Sequence, residues 1–237
     1  MKILCLIPAR SGSQGIKNKN IKLFKNKPLL GWSIQQAQNC KFKMKIVVST
    51  DSEEYSKIAI QYGAESPFLR PSSISGSLST DYEVVKHCLD WLKNNQNYCP
   101  DIIIQLRPTQ PCRKVSDINN SLKLFIDNYE HYDSLRTVVL NNKSPYKMYQ
   151  IENQRLKPLF SEVNKLKEPF NQARQLLPDT YLHNGYIDIF KSSIISQGTI
   201  SGTNIYPYIM SPSEDIDIDT EEDWAKAEQS FSETIFL

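Results

Sequence analysis

The 237-residue sequence lacks the features of a disulfide-bonded, membrane-spanning or nucleic-acid-binding protein. Its five cysteines are odd in number and form no Cys-x-x-Cys pair, which argues against a disulfide framework or zinc site and favours a reducing compartment. No apolar run approaches the roughly 20 residues of a spanning helix. The net charge of +2 is too small to indicate nucleic acid or an anionic membrane as a partner. Arg10 interrupts the short apolar stretch after Lys2, so we expect no signal peptide and a cytoplasmic location.

Several catalytic and nucleotide-binding signatures are also missing. The chain contains neither the GxxxxGK[ST] spacing of a P-loop nor the GxGxxG spacing of a dinucleotide-binding turn. Its three histidines, His87, His131 and His183, are scattered, and neither His87 nor His131 has a Ser, Cys or Asp partner at a suggestive spacing. We therefore expect structural roles for them and no nucleophilic triad.

The first strand and the loop after it carry the clearest functional signal. Residues 3–7 form an apolar run typical of a buried strand, and residues 8–20 read PARSGSQGIKNKN. Glycines allow backbone N–H groups to turn toward an anion, and the basic side chains add positive charge. At the carboxyl end of a first strand, this combination predicts a binding site for a nucleoside triphosphate. The alternative is a solvated, lysine-rich turn.

Strand and helix patterns alternate through the first half of the chain and return near its end. The predicted strands cover residues 3–7, 45–49, 101–106, 135–140 and 184–190. The predicted helices cover residues 28–40, 51–62, 80–94 and 116–128, with another beginning at Thr220. The rhythm indicates an α/β fold with a mostly parallel sheet, helices on both faces and a ligand crevice beyond the strand ends. We expect one domain over residues 1–237, with an inserted arm at about 141–179 that serves as an oligomer contact.

A run of alternating aspartates and isoleucines lies at residues 215–219, DIDID. If this run is extended, its three carboxylates share one side while Ile216 and Ile218 face the core. Like charges at that spacing repel unless a cation lies between them, and oxygen ligands with phosphate nearby favour Mg²⁺. The alternative is an acidic sheet edge that keeps the protein soluble.

Three further loops place polar groups where a ligand would lie, although turn chemistry alone also explains such residues. They are residues 105–113 (QLRPTQPCR), residues 68–80 (FLRP and a serine-rich loop) and residues 174–185, which begin RQLLP and end NG.

In these blocks the chain resembles the CMP-sugar-acid synthetases, the acylneuraminate cytidylyltransferase family. The matching blocks occur in order over nearly the whole chain: IPARSGSQGIKNKN, VVSTD with PFLRP downstream, RPTQPCR, and RQLLPDTYLHNG followed by DIDIDTEEDW. The resemblance implies a Rossmann-like nucleotidyltransferase fold with a dimerisation arm. It also implies transfer of CMP from CTP to a nonulosonate-type sugar acid, with Mg²⁺, in a homodimer.

The resemblance also implies a set of site residues. The catalytic residues are Arg10, Lys19 and Asp219. The nucleotide-binding residues are Ala9, Arg10, Gly12, Ser13, Asn20, Arg70 and Ser79. The substrate-binding residues are Arg107, Thr109, Lys147, Arg174 and Asn184, with Arg174 and Lys147 reaching the acceptor from a partner subunit. The metal ligands are Asp217 and Asp219, and Asp219 also helps to deprotonate the anomeric hydroxyl of the sugar.

The chain departs from the family pattern at two places. Gln14 stands where the family loop usually carries Lys or Arg, and Arg107 stands where a Gln is common before Pro-Thr. An arginine at position 107 is able to grip a carboxylate bidentately, which favours a sugar acid other than N-acetylneuraminate. Two alternatives stay open: a cytidylyltransferase for a deoxy-octulosonate or another sugar, and a nucleotide-binding module without turnover.

Overall fold

A six-stranded sheet forms the centre of the computed structural model, which describes residues 1–212 and 216–232. The strands are β1 (Ile3–Pro8), β2 (Leu23–Phe24), β3 (Lys27–Pro28), β4 (Lys45–Ser49), β5 (Ile102–Gln105), β6 (Ser134–Leu140), β7 (Tyr149–Glu152), β8 (Arg155–Pro158), β9 (Glu162–Val163), β10 (Leu166–Lys167), β11 (Tyr181–Lys191) and β12 (Ile205–Met210). The helices are α1 (Leu29–Gln38), α2 (Glu53–Gln61), α3 (Asp81–Gln96), α4 (Val115–Asp127) and α5 (Glu221–Ser230).

The strand order in the sheet is β12-β6-β11-β5-β1-β4. Strand β1 pairs in parallel with β4 and β5, and β12 pairs in parallel with β6. Strand β11 runs antiparallel to both of its neighbours, β5 and β6. The predicted mostly parallel sheet is therefore confirmed, and the carboxyl ends of β1, β4 and β5 meet at one edge.

Apolar side chains of β1 alternate between two cores. Ile3, Cys5 and Ile7 are buried in a cluster with residues of α1, α2 and α4. Leu4 and Leu6 are buried in a second cluster with residues of α3. The alternation follows from the two-residue period of a strand, and it confirms that helices cover both faces of the sheet.

The predicted strands and helices are present, with shifted ends. The helix predicted from the Thr80 capping box is α3, in which Thr80 and Glu83 cap each other reciprocally. Thr220 and Asp223 form the same arrangement at the start of α5. The sequence did not predict β12, a strand at the sheet edge that contains Pro207. Proline is tolerated there because an edge strand has one unpaired side.

Residues 141–179, predicted as an arm, form two short antiparallel hairpins between β6 and β11. The pairs are β7–β8 and β9–β10, and neither joins the central sheet. Both hairpins turn through two residues with positive φ, Asn153–Gln154 and Asn164–Lys165. The segment exposes apolar side chains, among them Ile151, which is 77% exposed.

None of the helices in the described ranges combines the length and the apolarity that crossing a bilayer requires.

Candidate active site

A cleft of about 400 Å³ opens at the edge where β1, β4 and β5 end. Its lining residues are Pro8, Arg10, Ser13, Gln14, Gly15, Lys19, Asn20, Arg70, Gly76, Ser77, Ser79, Asp81, Val84, Arg107, Pro108, Thr109 and Asp219. Four of these side chains are cationic and two are carboxylates, so the lining carries an excess of two positive charges. A cleft of this charge and location suits a polyanionic ligand.

Side-chain hydrogen bonds fix the conformation of the loop after β1. Asp51, just beyond β4, accepts the backbone N–H of Ser11 at 2.8 Å and its hydroxyl at 2.9 Å. On the other side of the loop, the amide of Asn20 donates to the Arg10 carbonyl at 3.0 Å. These contacts fix the loop backbone at the point where it borders the cleft.

Lys19 joins this loop to the segment after residue 215. Its ammonium group donates to the Ile218 carbonyl at 2.7 Å and to the carboxylate of Asp219 at 2.8 Å. Gly15 makes the close approach feasible, because a Cβ there would lie 2.2 Å from the Asp219 carbonyl oxygen. Ile218 is buried in a cluster with Trp32 and other side chains, and its N–H donates to the Thr109 carbonyl at 2.9 Å.

Asp217 and Asp219 lie in different surroundings. Residues 216–219 join no strand, so the predicted extended ladder is absent there, although Ile218 is buried as expected. Asp215 lies outside the described residues. The side chain of Asp219 is 73% exposed, whereas Asp217 is largely enclosed and its Oδ1 has no hydrogen-bond partner. Burial raises the pKa of Asp217, and the charge of Asp219 raises it further.

In the part of the chain that the structure describes, no three His, Cys, Asp or Glu side chains converge as a metal cluster. The two carboxylates nevertheless fit a Mg²⁺ ion, which usually takes only one or two protein carboxylates and completes its shell with phosphate and water. The unpartnered buried oxygen of Asp217 is the observation that supports this fit, because a cation would offset both its burial and its repulsion from Asp219.

Arg70, which also lines the cleft, provides hydrogen-bond donors that are not used within the protein. Arg70 is buried, and its Nε and Nη2 atoms have no hydrogen-bond partner among the described residues. Burial lowers the pKa of Arg70, while the charge of Asp51 acts in the opposite direction. Unpaired buried donors on a cleft wall are costly unless a ligand accepts from them.

Arg107 lies on the wall between the cleft and the sheet. Its Nη1 donates to Asp188 at 2.6 Å and to the Gly185 carbonyl at 3.1 Å, and its Nη2 donates to Asp81 at 2.7 Å. Burial lowers the pKa of Arg107, but the charges of Asp188 and Asp81 outweigh burial and the pKa is raised. The arginine is therefore firmly charged and paired on two sides.

The structure brings most of the expected site residues into the cleft: Arg10, Ser13, Lys19, Asn20, Arg70, Ser79, Arg107, Thr109 and Asp219. Ala9 is buried behind the loop, and Gly12 is exposed on the loop without lining the cleft. Asp217 does not line the cleft itself but is hydrogen-bonded to Thr109, which does.

The other three expected residues lie elsewhere. Asn184 is buried, and its side-chain oxygen accepts from the Thr137 hydroxyl at 2.7 Å. The Lys147 ammonium donates to the Gln172 carbonyl at 2.7 Å within the hairpin segment. Arg174 lines a separate small cavity of about 40 Å³. Neither Lys147 nor Arg174 lines the cleft of its own chain.

The sequence did not reveal Asp51 and Asp81 as site residues. Asp51 directly follows β4 in the VVSTD block, and its place after a parallel strand was an available signal. Asp81 is the first residue of α3, where an acidic residue is explained by the helix dipole alone.

Comparison with known proteins agrees with this geometry. A solved CMP:2-keto-3-deoxy-manno-octonic acid synthetase complexed with CTP superimposes with a TM-score of 0.67 over 97% of this chain and 98% of that chain, at 16% identity. At 16% identity this likeness shows a shared fold.

The chain belongs to the cytidylyltransferase family, whose pattern it matches over residues 4–192. It is 34% identical over 227 residues to the post-translational flagellin modification protein B of Campylobacter coli, covering 94% of this chain and 92% of that protein. It is 33% identical over 225 residues to the CMP-N,N'-diacetyllegionaminic acid synthase of Campylobacter jejuni, covering 94% of this chain and 92% of that protein.

Proposed function

We propose that this cytidylyltransferase transfers CMP from CTP to the anomeric hydroxyl of a nonulosonate-type sugar acid and releases pyrophosphate. The observation that carries the proposal is the cleft in which Arg10, Lys19 and Arg70 face one space beside Asp219. The similarity to a CMP-N,N'-diacetyllegionaminic acid synthase supports the acceptor class. The free cysteines fit a reducing, cytoplasmic setting, where CTP is available.

The chain's own residues supply charge and position. Arg10, Ser13 and Lys19 hold the triphosphate, and Asp51 fixes the loop backbone at Ser11. Asn20, Arg70 and Ser79 line the cytidine side. The hydroxyl oxygen attacks the α-phosphorus as the bond to the β-phosphate oxygen breaks, and Asp219 takes the proton.

Asp217 and Asp219 are the residues that would hold Mg²⁺. When bound, the ion would offset the negative charge on the phosphate oxygens during transfer. Lys19 contributes a fixed charge at the same place, because it is hydrogen-bonded to Ile218 and paired with Asp219.

A homodimer completes the site in this proposal, with Arg174 and Lys147 entering the cleft of the partner subunit. The exposed apolar side chains of the hairpin segment support an interface there. Mixing Arg174→Ala and Asp219→Asn subunits tests it. If the two residues serve a site from different subunits, random mixing restores about one quarter of the wild-type activity. No recovery after subunit exchange contradicts the shared site.

Pyrophosphate release tests the reaction. The protein is incubated with Mg²⁺, each of the four nucleoside triphosphates, and a panel of sialic, legionaminic, pseudaminic and deoxy-octulosonic acids. We expect release with CTP and a nine-carbon acid. Release with the eight-carbon acid alone would reassign the acceptor. CTP binding without release from any acid would favour a nucleotide-binding module.

A further inference from the structure

Arg107 is fixed at both its backbone and its side chain. Its carbonyl oxygen accepts from Nη2 of the fully buried Arg113 at 2.8 Å and from the Ser33 hydroxyl at 3.3 Å. Its guanidinium is held by Gly185, Asp188 and Asp81 as described above. A side chain anchored in this way presents its remaining donors in a pre-organised direction.

The guanidinium of Arg107 is already paired with two carboxylates, Asp188 and Asp81. The side chain of Asp188 is 0% exposed and also meets Arg136 at 2.8 Å and His183 at 2.7 Å. Asp81 differs from Asp188 because its side chain is 38% exposed and it lines the cleft. A carboxylate of a ligand placed against Arg107 would therefore meet the negative charge of Asp81 at close range.

The hydrogen-bonding capacity of the pair points the same way. Both Nη1 hydrogens have acceptors, Asp188 and the Gly185 carbonyl, and one Nη2 hydrogen is taken by Asp81. The second Nη2 hydrogen and the Nε hydrogen remain as donors beside Asp81, a carboxylate that only accepts. A neutral group that both accepts and donates satisfies these donors and Asp81 together, whereas a ligand carboxylate has no hydrogen to offer Asp81.

We propose that Arg107 and Asp81 together bind an uncharged substituent of the acceptor, a hydroxyl or an acylamino group, and that the acceptor carboxylate is held elsewhere. The inference rests on the proposed function and makes Asp81 a specificity-determining residue. The Thr109 carbonyl, two residues beyond Arg107, accepts from Ile218 next to Asp219. This contact ties the loop that carries Arg107 to the segment that carries Asp219.

The test compares wild type with Asp81→Asn and Arg107→Gln. Asp90→Asn is the matched control, since Asp90 is an exposed carboxylate of the same helix that pairs with Lys86 at 2.5 Å and does not line the cleft. The assay measures pyrophosphate release against acceptor and against CTP. The acceptors are a sugar acid, analogues lacking one hydroxyl or one acylamino group, and its carboxyl methyl ester.

We expect Asp81→Asn to lower kcat/KM for the acceptor by about tenfold or more and to leave the KM for CTP within about twofold. Removing the recognised substituent should weaken the wild type and Asp90→Asn equally, and Asp81→Asn much less. The analogue that shows this pattern tells us whether the pair recognises a hydroxyl or an acylamino group. Esterifying the carboxyl should weaken wild type and Arg107→Gln alike.

Three outcomes overturn the inference. If Arg107→Gln turns over the acceptor and its methyl ester equally well, the acceptor carboxylate binds to Arg107. Asp81→Asn that raises the KM for CTP alone would assign the pair to the nucleotide. Variants with wild-type kinetics toward every analogue would leave the pair without a role in recognition. If the wild type releases pyrophosphate with none of the acids, the proposed function is refuted as well. That result differs from the three outcomes above, in each of which the wild type is active.

Discussion

Gly15→Ala is the substitution whose effect the structure defines most sharply. An added Cβ would lie 2.2 Å from the Asp219 carbonyl oxygen, where ordinary contact begins at 3.4 Å, so the two backbones must separate by about 1.2 Å. Lys19 bonds to Ile218 and Asp219 and would shift with them. Since a misplacement of about 1 Å in a site costs roughly 100-fold in rate, we expect kcat to fall by about that factor.

Gly12→Ala in the same loop is the control. A Cβ at Gly12 meets no atom within 4 Å, and neither glycine has a positive φ. We expect wild-type kinetics for Gly12→Ala, because Gly12 does not line the cleft, contrary to the nucleotide-binding role that the resemblance implies for it. Crowding at Gly15 should cost about 1–3 kcal/mol of folding free energy, so the protein stays folded and Tm falls by a few degrees. Pyrophosphate release and thermal unfolding are measured together. Gly15→Ala with kcat within about twofold of Gly12→Ala would refute the reasoning.

Three other predictions concern carboxylates. Asp219→Asn should lower kcat by about 100-fold, while the CTP affinity measured by calorimetry stays within about threefold of wild type. A loss of CTP affinity as large as the loss in kcat would contradict a role in the transition state. Asp51→Ala removes both hydrogen bonds to Ser11 and should weaken CTP binding by about tenfold, whereas Ser11→Ala, which keeps the backbone bond, should weaken it less. Burial raises the pKa of Asp188, but His183 and the paired arginines outweigh it and the pKa is lowered. The stabilisation by Asp188 is therefore complete above its unfolded pKa of about 3.9 and is lost as the pH falls further. The difference in unfolding free energy between wild type and Asp188→Asn, from urea titrations, should therefore be smaller at about pH 3 than at about pH 5. A difference that grows on acidification would reverse this assignment.

Features fixed by local sequence were the ones that could be predicted. The start of α3 follows from the Thr80–Glu83 capping box, and the end of β1 follows from an apolar run stopped by a proline and a glycine loop. Strand β12 was missed because Pro207 interrupts it and its residues, IYPYIM, show no alternation of apolar and polar types, although their burial in the structure does alternate. Its pairing with β6 depends on contacts distant in the chain.

The environment of Arg107 illustrates what sequence spacing cannot reveal. Asp81 precedes it by 26 positions and Asp188 follows it by 81, and no periodicity connects them. The connection is the register of an antiparallel pair: Asp188 of β11 lies opposite Gln105 of β5, two residues before Arg107. Because side chains alternate, a slip of one residue would turn Ile187 or Ile189 toward Arg107 and bury Asp188 in the opposite, apolar core. Burying an unpaired carboxylate there would cost several kcal/mol, so the ion pair that orients the cleft arginine also selects the register of the strand that carries it.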